Sequence, residues 1–474
     1  MHSKFHSRTL SMVSALWLTS AVAAAQGAEV TAPTPNGITA DGVASRAEKT
    51  SVDVATKQAD VEVAAAQLDQ AFVGYFPKLQ LLARYSRLSD IDAPLLGYGL
   101  AAPTVPKTDD VLPVPAGSPL VQAPQRFPVI LNQATFQAIL TVPVSDYLFR
   151  VTQTYAAADR SKDAAEAQAK AARLKARADA KLLYYTWARA KLTRDVATQA
   201  VVQAKAHLSD VEKAFDTASA SKADVLRVES QVAVAEQLET RAKNLTEVLA
   251  SQLRTVMHDE GEGALALGED VAGEQALPAA EPMPRLFAEA LENRWELKSL
   301  SESALALEKQ AAATRSAGYP RVDLQGEVTS ANPNQRYIPQ QEKFLTTWSL
   351  SAQLTWTPND VFSAGAAGRA LDAKRVQVDA QRRGVMDALR VEIAQAVEAR
   401  NNAEGAQKTT VRSLAAAEES YRVRRSLFQN GRSTSVELLD AETELTRARL
   451  DAISARIDAR IALVRLTHAV GRDR

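Results

Sequence analysis

Two carboxylates, Glu437 and Asp440, stand three residues apart just after a helix reversal, so they share one helix face. A pair of carboxylates on one face offers negative charge, which attracts cations. Glu437 has a second assignment. It is the fourth residue of the capping box Thr434-Ser435-Val436-Glu437, and a carboxylate also suits a helix N-terminus. Asp440 is required by no cap. Bond-making chemistry finds no support elsewhere. There is no Gly-rich phosphate loop, no nucleophile elbow and no cluster with metal-ligand spacing. His207, His258 and His468 are scattered along helices and read as solvated or satisfied residues. Five methionines are too few and too dispersed to handle copper. The absence of cysteine excludes disulfides, thiolate metal sites and a lipid-modified N-terminal cysteine. Lys and Arg together equal Asp and Glu at 56 each, which argues against a general nucleic-acid binder. The chain reads as no enzyme and implies no cofactor.

The elements that position these charges are duplicated. "LFQNGRSTSVELLDAETEL" (Leu427–Leu445) stops one helix at Asn430-Gly431 and starts another at the capping box. "AFDTASASKADVLRVESQV" (Ala214–Val232) says nearly the same thing 213 residues earlier. Phe215 matches Phe428, Ser221 matches Thr434, Asp224 matches Glu437, and Arg227 stands where the second copy has Asp440. "GYFPKLQL" at Gly74 recurs as "GYPRVDL" at Gly318, and "AILTVPVSD" ending at Asp146 recurs as "AQLTWTPND" ending at Asp360. The chain is an internal repeat.

Two kinds of segment alternate within each copy. Ala-rich, charged helical stretches cover about 45–72, 146–215, 221–258, 286–316, 360–428 and 434–470. Two of them run about 70 residues, or roughly 100 Å. Leu438, Leu445, Ile453, Ile457, Ile461 and Val464 form a coiled-coil-like apolar stripe. Short stretches instead alternate with period two. Trp348, Leu350, Ala352, Leu354 and Trp356 face one way, with Thr347, Ser349, Ser351, Gln353 and Thr355 opposite. Val322, Leu324, Gly326 and Val328 repeat the pattern. The first half adds a strand over Lys78–Leu88, in which Leu81-Leu82 breaks the alternation, and one with Phe136, Ala138, Leu140 and Val142 on its apolar face. Tryptophans at both ends of one apolar face match the aromatic girdles of outer-membrane barrels.

A basic start, an apolar stretch from Met12 to Ala25 and small residues before Gln26 read as a signal peptide over 1–25. No later run reaches the about 20 apolar residues of a transmembrane helix. Residues 26–257 then form a first repeat, 258–284 an acidic connector lying on the helices or disordered, and 285–474 a second repeat. A Pro-rich loop spans about 89–132, and its second-half counterpart is about 30 residues shorter, the repeat offset falling from 244 to 214. Four strands cannot close, and open edges in lipid are very costly. The barrel must be shared between chains, with eight strands from two copies or twelve from three.

The Gly-Tyr-(Phe)-Pro strand entries, the Pro and Asp that end each second strand, and the Phe-x-x-Gly-x-x-Ser/Thr-x-x-acid reversals resemble the TolC family of outer-membrane efflux proteins across nearly the whole mature chain. Ala218 departs from that pattern, standing where the family has Gly. The resemblance implies a membrane β-barrel plus an all-α coiled-coil tunnel, four strands per chain contributed to a trimeric twelve-stranded barrel, located in the outer membrane and extending into the periplasm. It implies a homotrimer in outer-membrane lipid that serves a tripartite efflux or type I secretion system, with a periplasmic adaptor and an inner-membrane RND, ABC or MFS pump. It assigns Thr217, Ala218, Ser219, Asn430, Gly431 and Arg432 to adaptor-docking tips, Trp348 and Trp356 to the membrane belt, and Glu437, Asp440, Arg227 and Asp224 to the periplasmic gate. In a trimer six carboxylates of Glu437 and Asp440 would ring one opening, with Arg227 placed to pair with either. The competing reading, a periplasmic coiled-coil adaptor, shares the long hairpins but not the lipid-type strands or the duplication.

Overall fold

The computed structural model describes residues 34–35, 37–92, 95–101, 121–126, 129–261, 263–338 and 340–472. The expected signal peptide and most of the Pro-rich loop lie outside them. The first repeat runs α1 (Ala40–Thr50), α2 (Val52–Val73), β1 (Lys78–Arg87), β2 (Leu95–Ala101), β3 (Val121–Arg126), β4 (Asn132–Pro143), a helical turn α3 (Val144–Asp146), α4 (Thr152–Asp216) and α5 (Lys222–Met257). The second runs α6 (Met283–Asn293), α7 (Trp295–Arg315), β5 (Arg321–Asn332), β6 (Leu345–Thr355), α8 (Pro358–Gln429) and α9 (Ser435–Val470). A π-helical turn over Tyr147–Val151 joins α3 to α4 without a break.

The reversals and the strands fall where the sequence places them, but three features do not show in it. The first helix of each repeat is broken, at Ser51 and at Arg294, into a short and a longer piece. The Pro-rich loop carries the hairpin β2–β3, which pairs only with itself. The connector is ordered on the helices. Leu267 and Val271 are buried, Ile38 bridges Leu267, and the Arg460 guanidinium donates to Gln275 Oε1 at 2.8 Å and to the Asp270 carbonyl at 2.6 Å.

The long helices of 65 and 72 residues, α4 and α8, each span about 100 Å at 1.5 Å per residue. α5 folds back along α4, and α9 along α8. Small residues let them approach closely: Ala164, Ala167, Ala188, Ala197 and Ala204 of α4 are all buried. The main core lies where α1, α4, α5, α9 and the connector meet, around Tyr184, Trp187, Leu253, Met257, Ile453 and Ile457. The expected α9 stripe is the buried face: Leu438, Leu445, Ile453, Ile457 and Val464 are buried, and Ile461 is half-buried against the core.

The sheet is antiparallel in the order β1-β4-β5-β6. Its register joins the alternating patterns into one continuous apolar face. Leu79 opposes Leu140, which opposes Gly326, which opposes Leu350. One layer away Leu81, Ala138, Val328 and Trp348 line up in the same way. Leu82, facing Gln137, and Ile139, between Gln80 and Glu327, break the pattern on the polar side. All helices leave from the same rim of the sheet, where Lys78, Pro143, Arg321 and Thr355 end the strands. Aromatic residues crowd both rims. At the helix rim Phe72, Tyr75, Phe76 and Tyr155 stack, Phe149 meets Tyr319, and Trp356 Nε1 donates to the Gly318 carbonyl at 3.2 Å. At the far rim Phe136 stacks on Phe344, beside Tyr85 and Trp348. Eight residues separate the two tryptophans, about 27 Å along a strand at about 3.4 Å per residue. With a tilt of about 40° that is about 20 Å of membrane normal, close to the apolar band of about 25 Å in outer-membrane barrels.

The register generates a paired test. Leu354 and Gln353 are neighbours on opposite faces, and both are exposed. Leu354→Arg, two residues inside the Trp356 edge, is expected to destabilise the membrane-inserted protein by about 1–2 kcal/mol, and Gln353→Arg by much less. Equal losses in denaturant titrations in lipid would contradict the assigned faces.

Candidate functional site: the two helix reversals and the contact between them

The reversals are built alike, bond for bond. After α4, the Ala218 N–H donates to the Phe215 carbonyl at 2.9 Å and the Ser219 N–H to the Ala214 carbonyl at 2.7 Å. After α8, the Gly431 N–H donates to the Phe428 carbonyl at 2.9 Å and the Arg432 N–H to the Leu427 carbonyl at 2.8 Å. These are paired Schellman turns. Both pivots are left-handed, with φ 59° at Ala218 and 66° at Gly431. An Ala at a positive φ carries a steric cost on the order of 1 kcal/mol, and Ala218 bears it. Capping boxes open both return helices. The Ser221 N–H donates to Asp224 at 3.0 Å, and the Asp224 N–H donates back to the Ser221 hydroxyl at 3.2 Å. Thr434 and Glu437 make the same exchange at 3.3 Å each way. Thr217, Ala218, Ser219, Asn430, Gly431 and Arg432 are all exposed at the far end of the hairpins.

The four gate candidates differ in how far they are engaged. Glu437 accepts from the Ser433 hydroxyl at 2.5 Å and pairs with Arg424 at 3.0 Å. The Ser433 hydroxyl, then the Thr434 N–H, and then Arg424 hold its carboxyl below the usual carboxylate range. Asp224 is lowered in the same way, first by the Ser221 hydroxyl and then by the Ser221 N–H, with Arg227 a smaller contributor. Asp440 and Arg227 are exposed. Among the described residues no ion pair joins Arg227 to Glu437 or Asp440. The Arg partner of Glu437 is Arg424, on the α8 side of the same hairpin.

One contact at the tips was not read from the sequence. His207 of α4 is buried between the hairpins. Its Nδ1 lies 2.9 Å from Glu442 Oε2 and its Nε2 3.2 Å from the Ser435 hydroxyl, both on α9. Phe428 meets the imidazole edge-on at 5.4 Å and packs against the buried cluster Val211, Val225 and Val228 of the first hairpin. Both ring nitrogens are thus partnered, which is the satisfied role expected of this histidine. His258 serves instead as the left-handed cap of α5, with φ 49°. Among the described residues no group of His, Asp or Glu is placed to hold a metal ion, and no helix is long and apolar enough to cross a membrane.

Residues 286–472 match the family described as Outer membrane efflux protein. No curated protein sequence matches. Among solved structures the chain is similar to CusC (14% identity, 91% of this chain and 92% of that one, TM-score 0.72), described as forming a transmembrane channel. It is also similar to the outer-membrane channel OprN (17% identity, 94% and 95%, TM-score 0.72) and to the Neisseria gonorrhoeae MtrE outer membrane channel in its open state (17% identity, 91% and 88%, TM-score 0.69). The chain's second repeat matches the model of that family, and nearly its whole length has the fold of the solved channels.

The twin turns give two expected outcomes. Ala218→Gly relieves a left-handed Ala and should stabilise its turn by about 1 kcal/mol, whereas Gly431→Ala should cost about the same. A Cβ at Gly431 would meet nothing within 4 Å, so its φ alone sets that cost. Hydrogen exchange at the tips of assembled protein reads both changes. Because Glu437 and Asp224 are depressed in the folded state, their caps contribute above the unfolded carboxylate range and are lost as pH falls through the folded values. Exchange in the first turns of α5 and α9 should therefore rise at acid pH relative to the helix interiors.

Proposed function

We propose that the protein is the passive exit duct of a tripartite efflux or type I secretion system, working as a homotrimer. An inner-membrane pump delivers cargo, and a periplasmic adaptor docks on the tips formed by Thr217-Ala218-Ser219 and Asn430-Gly431-Arg432. The observation that carries this reading is the pair of matched reversals, exposed at the end of the chain farthest from the sheet. Two equivalent turns per chain become six in a trimer, a repeating surface suited to a ring of adaptor hairpins.

The periplasmic entrance is narrowed by the carboxylates of this end. Glu437 is largely engaged by its own cap and by Arg424, so Asp440 supplies the more available charge. Arg227 faces a neighbouring chain in this reading, since among the described residues it makes no ion pair with the second hairpin of its own. Trp348 and Trp356 mark the two edges of the lipid belt. The sheet with its continuous apolar face disfavours the alternative, a periplasmic adaptor.

Conductance in planar bilayers tests the gate. A Glu437→Ala, Asp440→Ala double variant should lose cation selectivity and sensitivity to multivalent cations, and Asp440→Ala alone should account for most of the loss. Unchanged selectivity would remove these residues from the gate. Gly431→Trp tests docking: trimers should still reach the outer membrane while export stops. Normal export from that variant would remove the tips from the adaptor contact.

A further inference from the structure

A cavity of about 400 Å³ lies far from the tips, where α1, α4, α6, α7 and the end of α9 meet. Five cations line it, Lys170, Arg173, Arg177, Arg294 and Lys298, against two carboxylates, Glu48 and Glu292. Some of this charge is already used. Arg177 pairs with Glu48 at 3.1 Å. Arg294 is turned to Glu296 at 3.1 Å, Glu392 at 3.3 Å and the His468 carbonyl at 2.9 Å. The rest is not. Arg173 donates to the neutral Gln58 at 2.7 Å. Lys170 and Lys298 lie 4.5 and 4.8 Å from the centre of the Trp295 ring, and neither makes an ion pair among the described residues.

The repeat supplies an internal comparison. Ser51 and Arg294 occupy the same break in the two copies, each as the residue before the longer helix. In the first copy the Ser51 hydroxyl accepts from the Val54 N–H at 3.4 Å and caps α2. In the second, Arg294 has no acceptor to offer and α7 starts without a side-chain cap. Trp295 and Lys298 of the first turn of α7 line this cavity with its surplus positive charge. A helix N-terminus adds the equivalent of about half a positive charge. At this break the second copy has a basic cavity where the first has a built-in acceptor.

We propose that this cavity binds a small multivalent oxyanion, of the phosphate or polycarboxylate type, between Lys170, Lys298 and the start of α7. The anion supplies the acceptor that Ser51 supplies in the first repeat. It fastens the broken helix α6–α7 to α4 and to the end of α9, which steadies the girdle around the long helices. The two lysines are the recognition elements, because neither makes an ion pair among the described residues, whereas Arg177 and Arg294 are paired with carboxylates.

Full-length protein in detergent is titrated calorimetrically with inorganic phosphate and, separately, with citrate, each at ionic strength held constant with chloride. Saturable binding of at least one is expected, accompanied by a change in Trp fluorescence that Trp295→Phe removes. The Lys170→Met, Lys298→Met double variant should bind at least tenfold more weakly, while Lys243→Met, at an exposed site on α5, binds as the parent does. Saturation by phosphate alone or by citrate alone fixes the class of anion. No saturable binding of either, or undiminished binding by the double variant, overturns the proposal.

Discussion

The two outer strands, β1 and β6, leave one edge each unpaired, and the rest of the structure depends on how those edges are completed. Strands of 10 and 11 residues expose on the order of ten backbone N–H and C=O groups per edge. In hydrocarbon each unsatisfied group costs several kcal/mol, so an open sheet is not a possible membrane structure. The sheet is also exposed on its apolar face, with Leu81 and Leu350 each 75% accessible. Lipid resolves the face, but only further strands resolve the edges. Because each strand is continuous with a helix at the same rim, closing the barrel also places the helices of neighbouring chains side by side. The tunnel is thus a consequence of the barrel.

The far end of the molecule shows the same incompleteness. Phe428 fits against Val211, Val225 and Val228 of the first hairpin, but its repeat partner Phe215 has no such seat and is 42% exposed, with Lys222 over its ring. In a closed ring the next chain offers the second hairpin that Phe215 lacks. The duplication gives near-equivalent packing around such a ring while letting individual positions diverge. Ala218 stands opposite Gly431, Arg227 opposite Asp440, and Arg294 opposite Ser51. Each divergence falls at a turn, a charged surface or a cap, where one side chain changes chemistry without disturbing the packed stripes.

Legibility from sequence followed the range of the causes. The reversals were readable because a Schellman turn and a capping box are made within ten consecutive residues. The sheet faces were readable because alternation survives in a strand with one apolar and one polar side. The breaks at Ser51 and Arg294 were not, since neither residue is a Gly or Pro. Hairpin β2–β3 was hidden by its prolines: Pro124 lies within β3, where ring closure removes a donor. The burial of His207 depends on Glu442 and Ser435, 235 and 228 residues away, and no local pattern announces them. The connector read as either packed or disordered because its acidic, Gly-rich composition outweighs two apolar residues, Leu267 and Val271, whose partners are on other elements. The basic cavity joins five segments and has no local signature at all.

The mass of the folded, detergent-solubilised protein tests the central claim, that completing the β1 and β6 edges requires other copies of the chain. Native mass spectrometry with light scattering is expected to give three chains per particle, resistant to dilution, with strand content retained. A folded, strand-containing monomer would contradict the account, because its edges would then be satisfied in some other way.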